Sequence, residues 1–119
     1  MGLETIERDG TLLVELSGEL DISTSPEVEE RLLQLERDGV PEWLIIDLRE
    51  VGFLDSTGLS LLINADRRAR DAGRRLTVVS GAGAPRRILV TSGLHGLIDI
   101  VEDLGAQAPE APTGGSSES

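Results

Sequence analysis

The sequence predicts an α/β domain: a single layer of mixed, largely parallel sheet with helices packed on it, opening with a β-hairpin. Two observations carry that expectation. Short apolar, β-branched runs at residues 11–16, 43–48 and 76–80 alternate with stretches whose apolar residues recur at helical spacing. Asp9-Gly10, a dipeptide favoured in tight hairpin turns, separates the first run from a short strand at residues 3–7. Alternation of strands and helices implies parallel neighbours joined by right-handed crossovers, and the hairpin makes the sheet mixed.

Each element has its own signals. Ser23-Thr24-Ser25-Pro26-Glu27 starts the first helix, with Thr24 three residues before Glu27 as in a capping box and Pro26 tolerated in the first turn. Val28, Leu32 and Leu35 form its buried stripe, and Gly39 and Pro41 stop it. Trp43-Leu44-Ile45-Ile46-Asp47-Leu48 is apolar enough for a core strand. Beyond it, Leu59, Leu62, Ala65, Ala69 and Ala72 mark a second helix that Gly73 closes. Residues 84–91 make a short third helix ended by Gly93, and residues 97–101 an edge strand. Residues 1–105 thus form the domain. Residues 106–119 hold Pro, Gly, Ser, Ala and acids with no large apolar residue, the composition of a disordered tail.

Composition narrows the function. The chain has 119 residues and a formal charge of −11, unevenly spread: residues 1–64 carry 4 Arg against 15 acids, residues 65–87 carry 7 Arg against 2. One Arg-rich helix end on an acidic molecule is poor equipment for nucleic acid, which is held by many cation–phosphate contacts. Arg67, Arg68, Arg70, Arg74 and Arg75 read either as a solvated helix end or as part of a surface for an acidic partner. With no cysteine and only His95, the sequence offers neither disulfides nor metal chemistry. No apolar run approaches the roughly 18 residues that span a bilayer, and the acidic N-terminus does not resemble a signal peptide, so the expectation is a cytoplasmic protein with no membrane contact.

Catalytic patterns are weak. Asp-Ser-Thr-Gly lacks the first glycine of a nucleophile elbow, and His95 lies in a turn-like segment, so a Ser56-His95-Asp hydrolase is disfavoured. Gly81-Ala82-Gly83 has neither a third glycine at fingerprint spacing nor a Walker lysine, and reads as a strand-to-helix loop. The informative segment is Phe53-Leu54-Asp55-Ser56-Thr57-Gly58-Leu59, a short acidic and hydroxylic turn from a buried strand into a helix. Free N–H groups and the helix dipole at such a start satisfy a carboxylate, a hydroxyl or an added phosphate. By chemistry alone, Asp55 or Ser56 is a helix cap, and Asp21 a turn residue.

Four motifs in order change that reading. Gly18-Glu19-Leu20-Asp21, a strand ending in Asp47-Leu48, Asp55-Ser56-Thr57-Gly58-Leu59, and Pro85-Arg86-Arg87-Ile88-Leu89 with Ser92-Gly93-Leu94 together resemble the anti-sigma-factor antagonists, single-domain bacterial STAS proteins. The resemblance runs from about residue 3 to about residue 103. It implies a STAS-like fold, phosphorylation at Ser56, and a partner-binding surface of Asp21, Asp55, Ser56, Thr57 and Gly58. It also implies the partners: an anti-sigma factor of the serine-kinase type, which carries the ATP and Mg2+, and a serine phosphatase acting on the phosphoprotein. The chain itself would be no enzyme and hold no cofactor. The alternative is a STAS module that docks on a transporter or another signalling complex without modification at Ser56. Many members carry a further amphipathic helix after the last strand; none is legible here, which leaves a homodimer contact as one way to cover that end of the sheet.

Deletion after Gly105 is expected to leave the melting temperature nearly unchanged, because nothing in residues 106–119 can hold a packed position. A drop of more than about 4 °C, roughly 1 kcal/mol or less for a domain of this size, would show that the segment packs on the fold.

Overall fold

The computed structural model describes residues 1–39 and 41–105; the segment 106–119, expected to be a tail, lies outside the described residues. The elements are strands β1 (Gly2–Arg8) and β2 (Thr11–Leu20), helix α1 (Ser25–Arg37), strand β3 (Trp43–Leu54), helix α2 (Ser56–Asp71), strand β4 (Arg75–Val79), helix α3 (Ala84–Thr91), a 3-10 turn (Leu94–Gly96) and strand β5 (Asp99–Val101). The five strands lie side by side in chain order, β1 antiparallel to β2 and the other pairs parallel. The expected mixed sheet is therefore present. Asp9 and Gly10 both take positive φ, 51° and 81°, the backbone that closes a two-residue hairpin.

Strand alternation sorts the core. Leu12, Val14 and Leu16 of β2, Leu44, Ile46 and Leu48 of β3, and Leu76 and Val78 of β4 face one side, where Val28 and Leu32 of α1, Leu61, Leu62, Ala65 and Ala69 of α2, and Leu89 of α3 cover them. Burying each such Leu fully stabilises the fold by about 1.5–3 kcal/mol. The intervening residues Leu13, Ile45 and Val79 face the other side, which no helix among the described residues covers. Ile6, Trp43, Val101 and Leu104 close over them instead. Trp43 is further tied in place: its Nε1 donates to Thr77 Oγ1 at 2.9 Å, that hydroxyl donates to Asp99 at 2.8 Å, and the Arg75 guanidinium lies 4.1 Å from the indole ring centre. On the same sheet face Asp47, 5% exposed, accepts hydrogen bonds from the Arg49 guanidinium and backbone N–H, so this buried charge is paired.

Four local expectations need correction. β2 runs to Leu20 and β3 to Leu54, beyond the residue 16 and residue 48 boundaries read from apolarity. Their polar distal halves stay paired because two register shifts, at Glu15/Ser17 and Gly18/Glu19, absorb extra residues of β3 as bulges. The capping box does not form: Thr24 is the N-cap of α1, but its hydroxyl donates to the Glu19 carbonyl at 2.7 Å instead of accepting from the helix. Residues 94–96 turn as a 3-10 helix, which shortens the last strand to Asp99–Val101 and leaves Leu97 exposed. On α2 the buried stripe includes Gly58 and Leu61, while Ala72 is the exposed C-cap.

Arg68 is not a solvated charge. Its Nε and Nη2 fork onto Glu36 at 2.7 and 3.0 Å and its Nη1 reaches Glu29 at 2.7 Å, joining α2 to α1. These hydrogen bonds hold the guanidinium firmly in its charged form. Arg68→Ala leaves Glu29 and Glu36 facing one another without a cation and is expected to lower stability by about 1–2 kcal/mol, given a half-buried bidentate pair rather than an exposed one. Arg68→Lys should recover less than half of that loss, because an ammonium cannot make the planar fork. Urea unfolding of the three proteins decides; full recovery by lysine would mean that charge alone, not geometry, joins the helices.

Candidate functional site: the Asp55–Gly58 turn and the loop beside it

The site lies at the C-terminal ends of β2 and β3, where each strand hands over to a helix. Parallel pairing places the ends together: Leu20 is opposite Leu54, and the Asp55 N–H donates to the Leu20 carbonyl at 3.3 Å. Asp55 has extended backbone, φ −110° and ψ −170°, and is the N-cap of α2. Its Oδ1 accepts from the backbone N–H groups of Thr57 at 2.9 Å and Gly58 at 3.3 Å, and from the Thr57 hydroxyl. Its Oδ2 accepts from the Ile22 N–H at 3.2 Å, across 33 residues of sequence. One carboxylate therefore caps the helix and holds the neighbouring loop against it.

The loop has its own organiser. Asp21 Oδ1 accepts from the Ser23 N–H at 2.9 Å, the Ser23 hydroxyl at 2.7 Å and the Thr24 N–H at 3.2 Å, a local turn closed by a side chain. The Asp21 N–H donates to Thr24 Oγ1 at 2.9 Å. The next residue, Ser25, is buried, and its hydroxyl meets that of Thr57 at 3.3 Å. The Ser23 hydroxyl, aided by backbone N–H groups, holds the Asp21 carboxyl below the usual carboxylate range. The Thr57 hydroxyl, with the Gly58, Thr57 and Ile22 N–H groups, does the same for Asp55.

Gly58 is a packing requirement. A Cβ there would stand 2.5 Å from Leu54 Cδ1 and 2.9 Å from the Leu20 carbonyl oxygen, so the first turn of α2 sits on the strand ends only without a side chain. Ser56, the first residue of α2, is exposed, and its hydroxyl makes no hydrogen bond among the described residues. The two adjacent hydroxyls thus differ: Thr57 is engaged on both sides, Ser56 is open to solvent. Ser56 borders a shallow groove of about 430 Å³ between the starts of α1 and α2, lined also by Ile22, Pro26, Glu29, Leu61 and Asn64.

The structure brings Asp21, Asp55, Ser56 and Thr57 together at the strand ends, whereas Gly58, expected on the partner-binding surface, is buried beneath them against Leu20 and Leu54. His95 lies in the 3-10 turn after α3, and no hydrogen bond joins it to Ser56. The Gly81-Ala82-Gly83 loop leads into α3, with Gly81 packed against Arg49. Most of the Arg run is engaged within the chain: besides Arg68, Arg70 bonds Asp66 and the Leu97 carbonyl, Arg67 bonds Asn64, and Arg75 lies over Trp43. Sequence reasoning passed over Ile22 and Ser25. An isoleucine inside the polar stretch Asp21-Ile22-Ser23-Thr24-Ser25 is the signal that was available, and it is 73% exposed.

A carboxylate whose folded pKa is depressed stabilises the fold above its unfolded pKa, about 3.9 for Asp, and that stability is lost as pH falls through the lower, folded value. Asp55→Asn keeps an oxygen acceptor for the α2 cap but cannot titrate. It is expected to fold at neutral pH and to lose less of its urea midpoint than the wild type between about pH 5 and about pH 2, with Asp21 supplying part of the acid sensitivity that remains. Identical acid profiles would show that the Asp55 carboxylate is not preferentially held in its charged form.

Comparison with known proteins places this geometry. Residues 3–107 match the family model of the STAS domain. The anti-sigma-B factor antagonist of Staphylococcus aureus (strain NCTC 8325 / PS 47) is 29% identical over 102 residues, 86% of this chain and 94% of that protein. The crystal structure of an anti-sigma factor antagonist from Mycobacterium paratuberculosis superposes with a TM-score of 0.79 at 30% identity, covering 87% of this chain and 86% of that one. The phosphorylated form of the Bacillus cell fate determinant SpoIIAA shares the fold, with a TM-score of 0.64 at 18% identity over 86% of this chain and 93% of its own. The strand-end surface built around Asp55 therefore sits on a chain that belongs to the STAS domain family, among the anti-sigma factor antagonists.

Proposed function

We propose that this protein binds an anti-sigma factor of the serine-kinase type while Ser56 is unmodified, so releasing a sigma factor, and that phosphorylation of Ser56 switches the binding off. The observation that carries the reading is the open Ser56 hydroxyl at the head of α2, beside a Thr57 hydroxyl already held by Asp55. The names of the relatives support the partner class, and the solved phosphorylated form of SpoIIAA supports the chemistry. A cytoplasmic location is what such a partnership requires.

In the switching step the partner's ATP gives up its γ-phosphoryl group. The Ser56 oxygen forms the new P–O bond, ADP leaves, and the hydroxyl proton passes to a base of the kinase. A phosphatase hydrolyses the bond to restore the hydroxyl and release inorganic phosphate. This chain contributes position alone. The new group carries about −1.5 to −2 charges, and it arrives where Asp55 already occupies the Thr57 and Gly58 N–H groups. The helix start has fewer free donors with which to neutralise it, and Asp21 and Asp55 stand nearby. Like charge then opposes a desolvated contact, and each 1.4 kcal/mol lost from binding is about tenfold in affinity.

Incubation with the cognate kinase and ATP, followed by mass spectrometric site mapping, tests the reading. Ser56→Ala should abolish the phosphate yet keep partner binding, whereas Ser56→Glu should weaken binding by about tenfold or more, with circular dichroism showing both variants folded. Phosphate retained at full level in Ser56→Ala would move the acceptor to Thr57 or elsewhere. Equal affinities for alanine and glutamate would remove charge at this turn as the switch.

A further inference from the structure

We infer that Ile22 is the apolar anchor of the partner contact, and that the partner segment seated beside Ser56 is an apolar side chain flanked by cations. The inference rests on the anti-sigma factor reading of this surface and adds to it the chemistry of what docks there. Ile22 is 73% exposed, the most exposed large apolar side chain among the described residues. Exposure of a single isoleucine is ordinary. What distinguishes this one is that its backbone is fixed: the Ile22 N–H donates to Asp55 Oδ2, and the loop on either side is closed by Asp21 and Thr24. A side chain held on a rigid backbone loses little freedom on binding, the property expected of an interface anchor.

The surroundings define the occupant. Ile22, Pro26 and Leu61 give the groove apolar wall, and Ser56 and Ser60 give it hydroxyls; among the described residues its one charged lining residue is Glu29, already paired with Arg68. Asp21 and Asp55 stand at the strand ends beside it and give it an acidic rim. An acidic partner would meet like charge there. An aliphatic side chain entering against Ile22, with Arg or Lys on its flanks, matches both the apolar wall and the acidic rim. The same arrangement couples the anchor to modification, since a phosphate on Ser56 would have to be desolvated against the apolar contact.

The test uses the full-length chain and the serine-kinase-type anti-sigma factor of the same organism as probe, with binding measured by calorimetry and phosphorylation by kinase assay. Ile22→Ala should weaken binding by about tenfold or more, Ile22→Leu should stay within about threefold of wild type, and all should melt nearly as the wild type does, because the side chain is 73% exposed. The loss should be in KM for phosphorylation rather than in kcat. Affinity should also fall as salt rises, as for a cation–acid contact. Wild type bound and phosphorylated at Ser56, with Ile22→Ala within about twofold of it, overturns the anchor and leaves the functional reading intact. Salt-independent binding overturns the cationic flank. Wild type neither bound nor phosphorylated overturns both the functional reading and the inference.

Discussion

The site depends on one carboxylate that answers two needs at once. Every helix start leaves N–H groups without partners, and α2 begins directly above the end of its own sheet. Asp55 satisfies two of those groups with Oδ1 and turns Oδ2 outward to the Ile22 N–H. The second contact reaches a loop that arises from another strand. Without it, the β2–α1 connection would be secured to α2 mainly through Leu20 and the Ser25–Thr57 hydroxyl pair. With it, two segments distant in sequence present one surface, and the neighbouring Ser56 hydroxyl makes no hydrogen bond among the described residues. Asp55 thus takes the capping role, and the Ser56 hydroxyl beside it stays open to solvent, which is compatible with the proposed switch.

That surface exists because, among the described residues, the helices lie on one side of the sheet. All three helices pack on the face formed by Leu12, Val14, Leu44, Ile46 and their neighbours, so the α1 and α2 starts emerge side by side at the strand ends. With two bulges in the β2–β3 ladder, both strands run on to Leu20 and Leu54, which close the end of the same core at one level. Gly58 then allows α2 to settle on them with a carbonyl oxygen and a Leu methyl in the space a Cβ would need. Strand length, register and one missing side chain together set the height of the Ser56 turn.

The elements legible in the sequence are those whose signals are local. Asp9-Gly10 marks a hairpin because few other pairs accept its backbone, and Val28 and Leu32 mark a helix face by spacing alone. The Asp55 turn is legible for the same reason, as an acid directly before a helical apolar pattern. Thr24 misled because its pattern with Glu27 satisfies the local rule, while the Glu19 carbonyl and Asp21 N–H, placed by the fold, claim its hydroxyl first. The distal half of β3, Arg49-Glu50-Val51-Gly52-Phe53-Leu54, carries no strand signal of its own; its neighbour in the sheet keeps it extended. Arg68 is of the same kind, since nothing near it in sequence foretells Glu29 and Glu36.

The placement of Trp43 has a practical meaning. The chain's one tryptophan sits at the first residue of β3, stacked under Arg75 and bonded to Thr77, while the Ser56 turn follows the last. At about 3.3 Å per residue, with two of its residues taken up in bulges, the strand separates them by roughly 30 Å. The indole is thus an intrinsic fluorophore that senses whether the β3–β4–β5 ladder is intact and is blind to the chemistry at the opposite end. Its emission can follow denaturation of wild type and of variants in the Asp55–Gly58 turn on one common scale, with no label introduced at that turn.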